Sequence, residues 1–173
     1  LAGLFYAVEL EDARAIAEDK LRHLAMTDSL TELYNRRAFL DECQKLSSQH
    51  HQGGVAIVDI DDFKQVNDSY GHDAGDQALI SVAKKIAKLN QTPNFVARFG
   101  GEEFAIFLKG ENKGDTHTQL EALRIAVEEE SVLYKEDVIK LSISIGATFI
   151  EDTYEADFSV LLSLADKALY RAK

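Results

Sequence analysis

The chain of 173 residues is short of cysteine, of positive charge and of long apolar runs, and each shortage removes a class of protein. Its single cysteine, Cys43, cannot close an internal disulfide, which fits a reducing compartment, and no Cys/His pattern of zinc-ligand spacing accompanies it. No uninterrupted apolar run approaches the ~18 residues that span a bilayer. Nineteen basic against thirty acidic side chains leave a net charge of −11. A protein that grips a nucleic-acid polymer needs the opposite, a basic stripe that displaces counterions from phosphates. The Walker pattern GxxxxGK[ST] is missing too, so any nucleotide is not held by a P-loop. The chain starts at Leu1 with neither an initiator methionine nor a signal peptide, and reads as a piece of something longer. What remains is one acidic globular domain, with 46% hydrophobic residues and enough length to bury roughly two-thirds of its unfolded surface.

Residues 1–27 differ from the rest. Leu10, Ala13, Ala17, Leu21 and Leu24 recur at spacings of 3, 4, 4 and 3, a helical seam, while charged residues from Glu9 to Arg22 occupy much of the remaining surface. Two readings stand: a surface helix packed on its own domain, or a connector helix that pairs with a second copy and relays a signal from an upstream sensory domain. LAGLFYAV at the start is apolar enough to end a membrane helix, which would make this a cytoplasmic domain of a protein anchored in the inner membrane.

From residue 28 onward helical and strand periods alternate. Asn35 is placed to cap a helix through RRAFLDECQKL, and a Gly53–Gly54 turn opens VAIVDI (55–60), a β-branched run that reads as a strand buried on both faces. A helix follows in AGDQALISVAKKIAKL, then strands FVARF (95–99) and EFAIFLK (103–109) joined at Gly100–Gly101. Helical 117–130, a strand in LSISIGATFI (141–150) and a last helix VLLSLADKALYRAK complete the order, with Leu161, Leu162, Leu164, Ala165, Ala168 and Leu169 expected in the core. This is an α+β pattern, one mixed sheet covered by helices.

Chemistry concentrates where the central strand ends. DIDDFKQVND (59–68) holds Asp59, Asp61 and Asp62 within four residues, and in an extended chain Asp59 and Asp61 share a side. Carboxylates ending an apolar strand are costly unless a cation or donors meet them, and hard oxygens of this kind suit Mg²⁺. A solvated acidic turn fits this segment equally well. A second cluster tips the balance. ARFGGEEFAIF (97–107) puts Glu102 and Glu103 directly after two glycines that leave the backbone bare, on a strand beside the first. Two carboxylate clusters on neighbouring strands suit a metal-dependent phosphoryl or nucleotidyl transferase.

In order and spacing, DSLTELYNRRAF (28–39), DIDDFKQVND (59–68), YGHDAGDQAL (70–79), ARFGGEEFAIF (97–107), SISIGAT (142–148) and ADKALYRAK (165–173) resemble the GGDEF domain of the diguanylate cyclase family, with GGEEF at 100–104. The resemblance covers 28–173. It implies a mixed sheet flanked by helices, similar to the palm of nucleotide cyclases and polymerases, preceded by the connector helix. It also implies a reaction that joins two GTP into cyclic di-GMP with loss of two pyrophosphates, in a homodimer whose domains each hold one GTP.

Carried over residue by residue, the resemblance makes Asp59, Glu102 and the backbone carbonyl of Ile60 the Mg²⁺ ligands, with Mn²⁺ as a substitute. Glu102 accepts the proton of the attacking hydroxyl and Glu103 assists. Lys64, Lys173 and the N–H groups of Asp62 and Phe63 meet the phosphates. Asn67 and Asp76 read guanine, whose N1–H and N2 amine offer a carboxylate two adjacent donors that adenine lacks. His72 either lines the base pocket or holds its loop, and Asp61 is structural. Two departures stand out. The family's inhibitory product site, Arg-x-x-Asp, is here QTPN, with Gln91 and Asn94 where the charged pair belongs, so product inhibition there is not expected. The chain also stops at Lys173, before an arginine with which the family usually contacts phosphate. A catalytically silent GGDEF module that binds GTP or protein, and an unrelated palm-type nucleotidyl transferase, are the rival readings.

Overall fold

The computed structural model describes residues 2–92, 94–110 and 112–173, with side chains from residue 11 onward. Helix α1 (Ala2–Met26) leads to a short strand β1 (Tyr34–Asn35) and helix α2 (Arg36–Leu46). Asn35 caps α2 as its side chain predicts, accepting from the N–H of Ala38 at 3.0 Å. Strand β2 (Gly53–Ile60) is followed by helices α3 (Phe63–Tyr70) and α4 (His72–Ala87), strands β3 (Phe95–Gly100) and β4 (Glu103–Lys109), and helix α5 (Lys113–Glu129). A small hairpin, β5 (Val132–Tyr134) with β6 (Asp137–Ile139), precedes strand β7 (Ile143–Ile150) and helix α6 (Phe158–Ala172).

The five-stranded sheet has the order β1-β3-β4-β2-β7, with β1 parallel to β3 and the remaining pairs antiparallel, so the sheet is mixed as expected. All eight residues of the central strand β2 are buried. Because side chains alternate along a strand, Ala56, Val58 and Ile60 join the core under α4 and α5, with Phe104, Ile106 and Val82. Val55 and Ile57 join the opposite core under α2 and α6, with Phe39, Phe107 and Leu169. Each fully buried aromatic or large aliphatic side chain contributes roughly 1.5–3 kcal/mol.

Several expectations are corrected. Gly53 and Gly54 belong to β2 and form no turn; a Cβ on Gly53 would lie 2.4 Å from the Leu108 carbonyl oxygen, and one on Gly54 would lie 2.2 Å from the Thr116 methyl. Close packing, not chain reversal, selects glycine there. The segment read as extended after Ile60 turns into α3, so Asp61 lies past the strand end and the alternation argument for it fails. Leu164, expected in the core, is exposed on α6. From residue 11 to residue 25, α1 is exposed throughout, including Ala13, Ala17, Leu21 and Leu24, which removes the reading that it packs on its own domain. The side chain of Leu10 and those of LAGLFYAV lie outside the described residues, and no described helix is long and apolar enough to cross a membrane.

Candidate active site

Asp59 is the last residue but one of β2, held between two neighbours: its Cα is opposite Glu103 of β4 and Ser144 of β7. Only 7% of it is exposed. The chain's last residue reaches it, Lys173 Nζ donating to Asp59 Oδ1 at 2.5 Å. Burial pushes the Asp59 carboxyl above its ordinary range; Lys173 opposes the rise, while Glu102 and Asp61 add to it. Glu103 is raised as well, by desolvation first and then by Asp59, Asp166 and Glu102. Lys173 is held protonated, chiefly by its bond to Asp59. The two carboxylate clusters of the sequence therefore do meet at one end of the sheet, with more negative charge than one lysine balances.

The turn that presents Glu102 is built from Gly100 (φ 146°) and Gly101 (φ 54°), conformations that favour glycine. Arg98 fastens it: Nε and one terminal nitrogen donate to the Gly101 carbonyl at 3.0 and 2.8 Å. The other terminal nitrogen meets the Asp28 carboxylate at 3.2 and 3.3 Å. Asp28 also accepts from the N–H and hydroxyl of Thr31 at 2.9 and 2.7 Å. The signature turn is thus tied to the segment that leaves α1. Sequence reasoning did not single out Arg98; the signal available was a charged residue in an apolar strand, two positions before paired glycines.

Beyond Ile60 the chain reverses through Asp61 and Asp62, the latter left-handed at φ 51°, ψ 28°. Asp61 Oδ1 accepts from the Ser144 hydroxyl and Oδ2 from the Ser142 hydroxyl, both at 2.7 Å. Among the described residues, no protein acceptor meets the N–H groups of Asp62, Phe63 and Lys64, which open α3. Asn67 on α3 packs against Gly75 of α4, where a Cβ would lie 1.9 Å from Asn67 Oδ1, and Asp76 is the next residue of α4. His72 begins α4 and is exposed, as are Lys64 and Asp76.

Among the described residues no group of three or more His, Cys, Asp and Glu closes on one point. Asp59, Glu102 and the Ile60 carbonyl supply only hard oxygens, and the negative charge of Glu102 and Asp61 beside the buried Asp59 fits a divalent cation such as Mg²⁺.

A family model described as diguanylate cyclase, GGDEF domain, matches residues 25–173. The chain belongs to the GGDEF family of diguanylate cyclases. The diguanylate cyclase DgcP of Pseudomonas aeruginosa is 37% identical over 170 residues, covering 94% of this chain and 25% of its own. Among solved structures, the coiled coil and GGDEF domain of DgcB from Caulobacter crescentus, in complex with c-di-GMP, is 32% identical. It superposes with a TM-score of 0.83 over 95% of this chain and 88% of that one. The diguanylate cyclase SiaD of Pseudomonas aeruginosa, in complex with its activator SiaC, is 29% identical with a TM-score of 0.81, over 96% of this chain and 65% of that one. The chain spans 25–39% of the length of the first three curated relatives.

The two residues that the sequence sets against the family's product site, Gln91 and Asn94, stand differently in the structure. Asn94 Oδ1 accepts from the N–H of Lys109 at 2.8 Å, capping the end of β4, and Gln91 is exposed. Pro93 between them lies outside the described residues.

Proposed function

We propose that this GGDEF domain is an active diguanylate cyclase that requires Mg²⁺ or Mn²⁺ and condenses two GTP into cyclic di-GMP and two pyrophosphates. The observation that carries the reading is the meeting of Asp59, Glu103 and Lys173 at the strand ends, beside the unpartnered N–H groups that open α3. Asp59, Glu102 and the Ile60 carbonyl would hold the cation, which when bound would supply positive charge to the phosphate oxygens. The N–H groups of Asp62 and Phe63 cradle the β- and γ-phosphates, with Lys64 and Lys173 as counter-charges. Lys173 exchanges Asp59 for phosphate as substrate enters. Asn67 and Asp76 select guanine, the carboxylate accepting from N1–H and the N2 amine, and His72 stands at the mouth of that pocket. Glu102 takes the proton of the 3′-hydroxyl, helped by Glu103. The freed oxygen bonds to the α-phosphorus of the partner's GTP, whose pyrophosphate leaves; the same step in the other direction closes the ring.

Each domain offers one such half-site, so a second copy is needed. The exposed α1, with Ile16 70%, Leu21 66% and Leu24 64% exposed, supports its role as a connector that pairs with another copy and links to an upstream sensory domain. Gln91 and Asn94, lacking charge and the guanidinium fork, support an enzyme without product inhibition at that site.

The test is product analysis on dimeric protein given Mg²⁺ with GTP, then with ATP. Cyclic di-GMP from GTP alone is expected. Glu102→Ala should abolish turnover with an unchanged circular dichroism spectrum. An absence of GTP turnover under enforced dimerisation would favour a non-catalytic GTP-binding or protein-interaction module.

A further inference from the structure

Asp61 is a half-buried carboxylate for which the reaction has no use, and it adds repulsion beside Asp59. We propose that Asp61, Ser142 and Ser144 form a clamp that sets the phosphate-binding turn before the triphosphate arrives. The inference rests on the nucleotide reading above.

The clamp crosses from the end of β2 to the start of β7. Ser142 directly precedes β7 and Ser144 lies within it, the two flanking Ile143, which pairs with Ile60. Each hydroxyl donates to a different Asp61 oxygen at 2.7 Å, and the Asp61 N–H donates to the Ser142 carbonyl at 3.0 Å. No cation meets Asp61 among the described residues, so its charge is held by directional hydrogen bonds rather than by an ion pair. A carboxylate oriented through both oxygens and its own N–H has little freedom left.

What it holds is the conformation of the next residue. Asp62 is left-handed at φ 51°, which a residue with a Cβ adopts only when its surroundings impose it. Its side chain makes no capping bond, and its carbonyl, which accepts from the N–H groups of Gln65 at 2.8 Å and Val66 at 3.3 Å, ties it to α3 and not to the sheet. The link from the Ile60 N–H to the Glu102 carbonyl is long, at 3.4 Å. The three bonds of Asp61 are therefore the firm attachment between the Ile60 carbonyl on one side and the free N–H groups of Asp62, Phe63 and Lys64 on the other. Loosening them lets those donors wander, while the guanine contacts of Asn67, one turn further along α3, and Asp76, in the second turn of α4, lie beyond the turn itself and stay in place.

The experiment compares wild type with Ser142→Ala/Ser144→Ala, using 3′-deoxy-GTP with Mg²⁺ (which binds without reacting) in titration calorimetry, and GMP in an NMR titration. Loss of two hydrogen bonds predicts triphosphate affinity lower on the order of tenfold, with GMP affinity unchanged within about twofold. Ser142→Thr/Ser144→Thr, which keeps both hydroxyls, should restore the triphosphate. A double alanine variant that melts lower yet binds the triphosphate like wild type overturns the inference, as does parallel loss of both ligands. Should the double variant not fold, Ser144→Ala alone must lower the triphosphate-to-GMP affinity ratio severalfold, or the inference fails. Wild type that binds no guanine nucleotide sinks the functional reading itself; wild-type binding with an unaffected variant sinks only the clamp.

Discussion

Gly75→Ala separates stability from recognition in this domain. The added Cβ would lie 1.9 Å from Asn67 Oδ1, 3.0 Å from its Cγ and 3.3 Å from Phe63 Cζ. To regain ordinary contact the Asn67 oxygen must retreat by about 1.5 Å. That displacement takes a hydrogen-bonding atom out of its 2.7–3.2 Å range to a bound base. A neutral hydrogen bond lost contributes about 0.5–1.5 kcal/mol, so GTP affinity should fall roughly twofold to tenfold. The fold should not suffer equally. Asn67 is the tip of a flexible side chain that can swing toward solvent, and alanine in a helix is favoured over glycine by roughly 0.5–1 kcal/mol. For a domain of this size 1 kcal/mol corresponds to about 2–4 °C in Tm, so the variant should melt within a few degrees of wild type, or above it. Calorimetric titration with 3′-deoxy-GTP and a thermal melt provide both readings. Unchanged GTP affinity would refute the role of Gly75 in seating Asn67, and a drop in Tm of more than about 5 °C would show that the side chain cannot withdraw.

Three further outcomes follow from the same geometry. Burial alone would raise the Asp28 carboxyl, but bonds from Thr31 and Arg98 outweigh it and hold the group below its ordinary range. A depressed carboxylate adds stability that is present above about pH 4 and lost as pH falls through the lowered value. Asp28→Asn should therefore lose on the order of 1 kcal/mol at pH 7 and show a shallower acid limb in denaturant titrations; an unchanged acid limb would contradict the assignment. Cyclic di-GMP titrated into wild type should show no tight binding at Gln91 and Asn94, and sub-micromolar affinity lost on mutating both would refute this. Lys173→Met should weaken binding of the triphosphate yet tighten Mn²⁺ binding to the nucleotide-free protein, read by electron paramagnetic resonance, because Lys173 no longer occupies Asp59 at 2.5 Å. Weaker Mn²⁺ binding would show that the lysine is not a competitor there.

What the chain discloses in sequence, and what it hides, divides by the range of the interactions. VAIVDI reads as a buried strand because burial on both faces leaves no polar alternation, and all eight residues of β2 are buried. The Asn35 cap is legible because its partner is three residues away. Helix α3 is hidden because it buries a single residue, Val66, and β5 and β6 because three-residue strands joined through Lys135 at φ 54° carry neither periodicity nor a glycine signal. Gly53 and Gly54 mislead for a related reason: a glycine demanded by a neighbour's approach looks the same in sequence as one demanded by a turn.

The site itself is the extreme case of long-range assembly. Asp59 and Lys173 are 114 positions apart, Asp61 reaches serines 81 and 83 positions away, and Arg98 reaches Asp28 across 70. No periodicity encodes such pairs, because each joins one polar side chain at the end of one element to one at the end of another. Family resemblance supplied the residues proposed to meet metal and substrate, such as Asp59, Glu102 and Lys173. It gave no role to Arg98, Ser142 and Ser144, which lie within the matched motifs and bond to other residues of the chain. A catalytic motif names the groups that do chemistry; the groups that aim them emerge only when the strand ends are seen side by side.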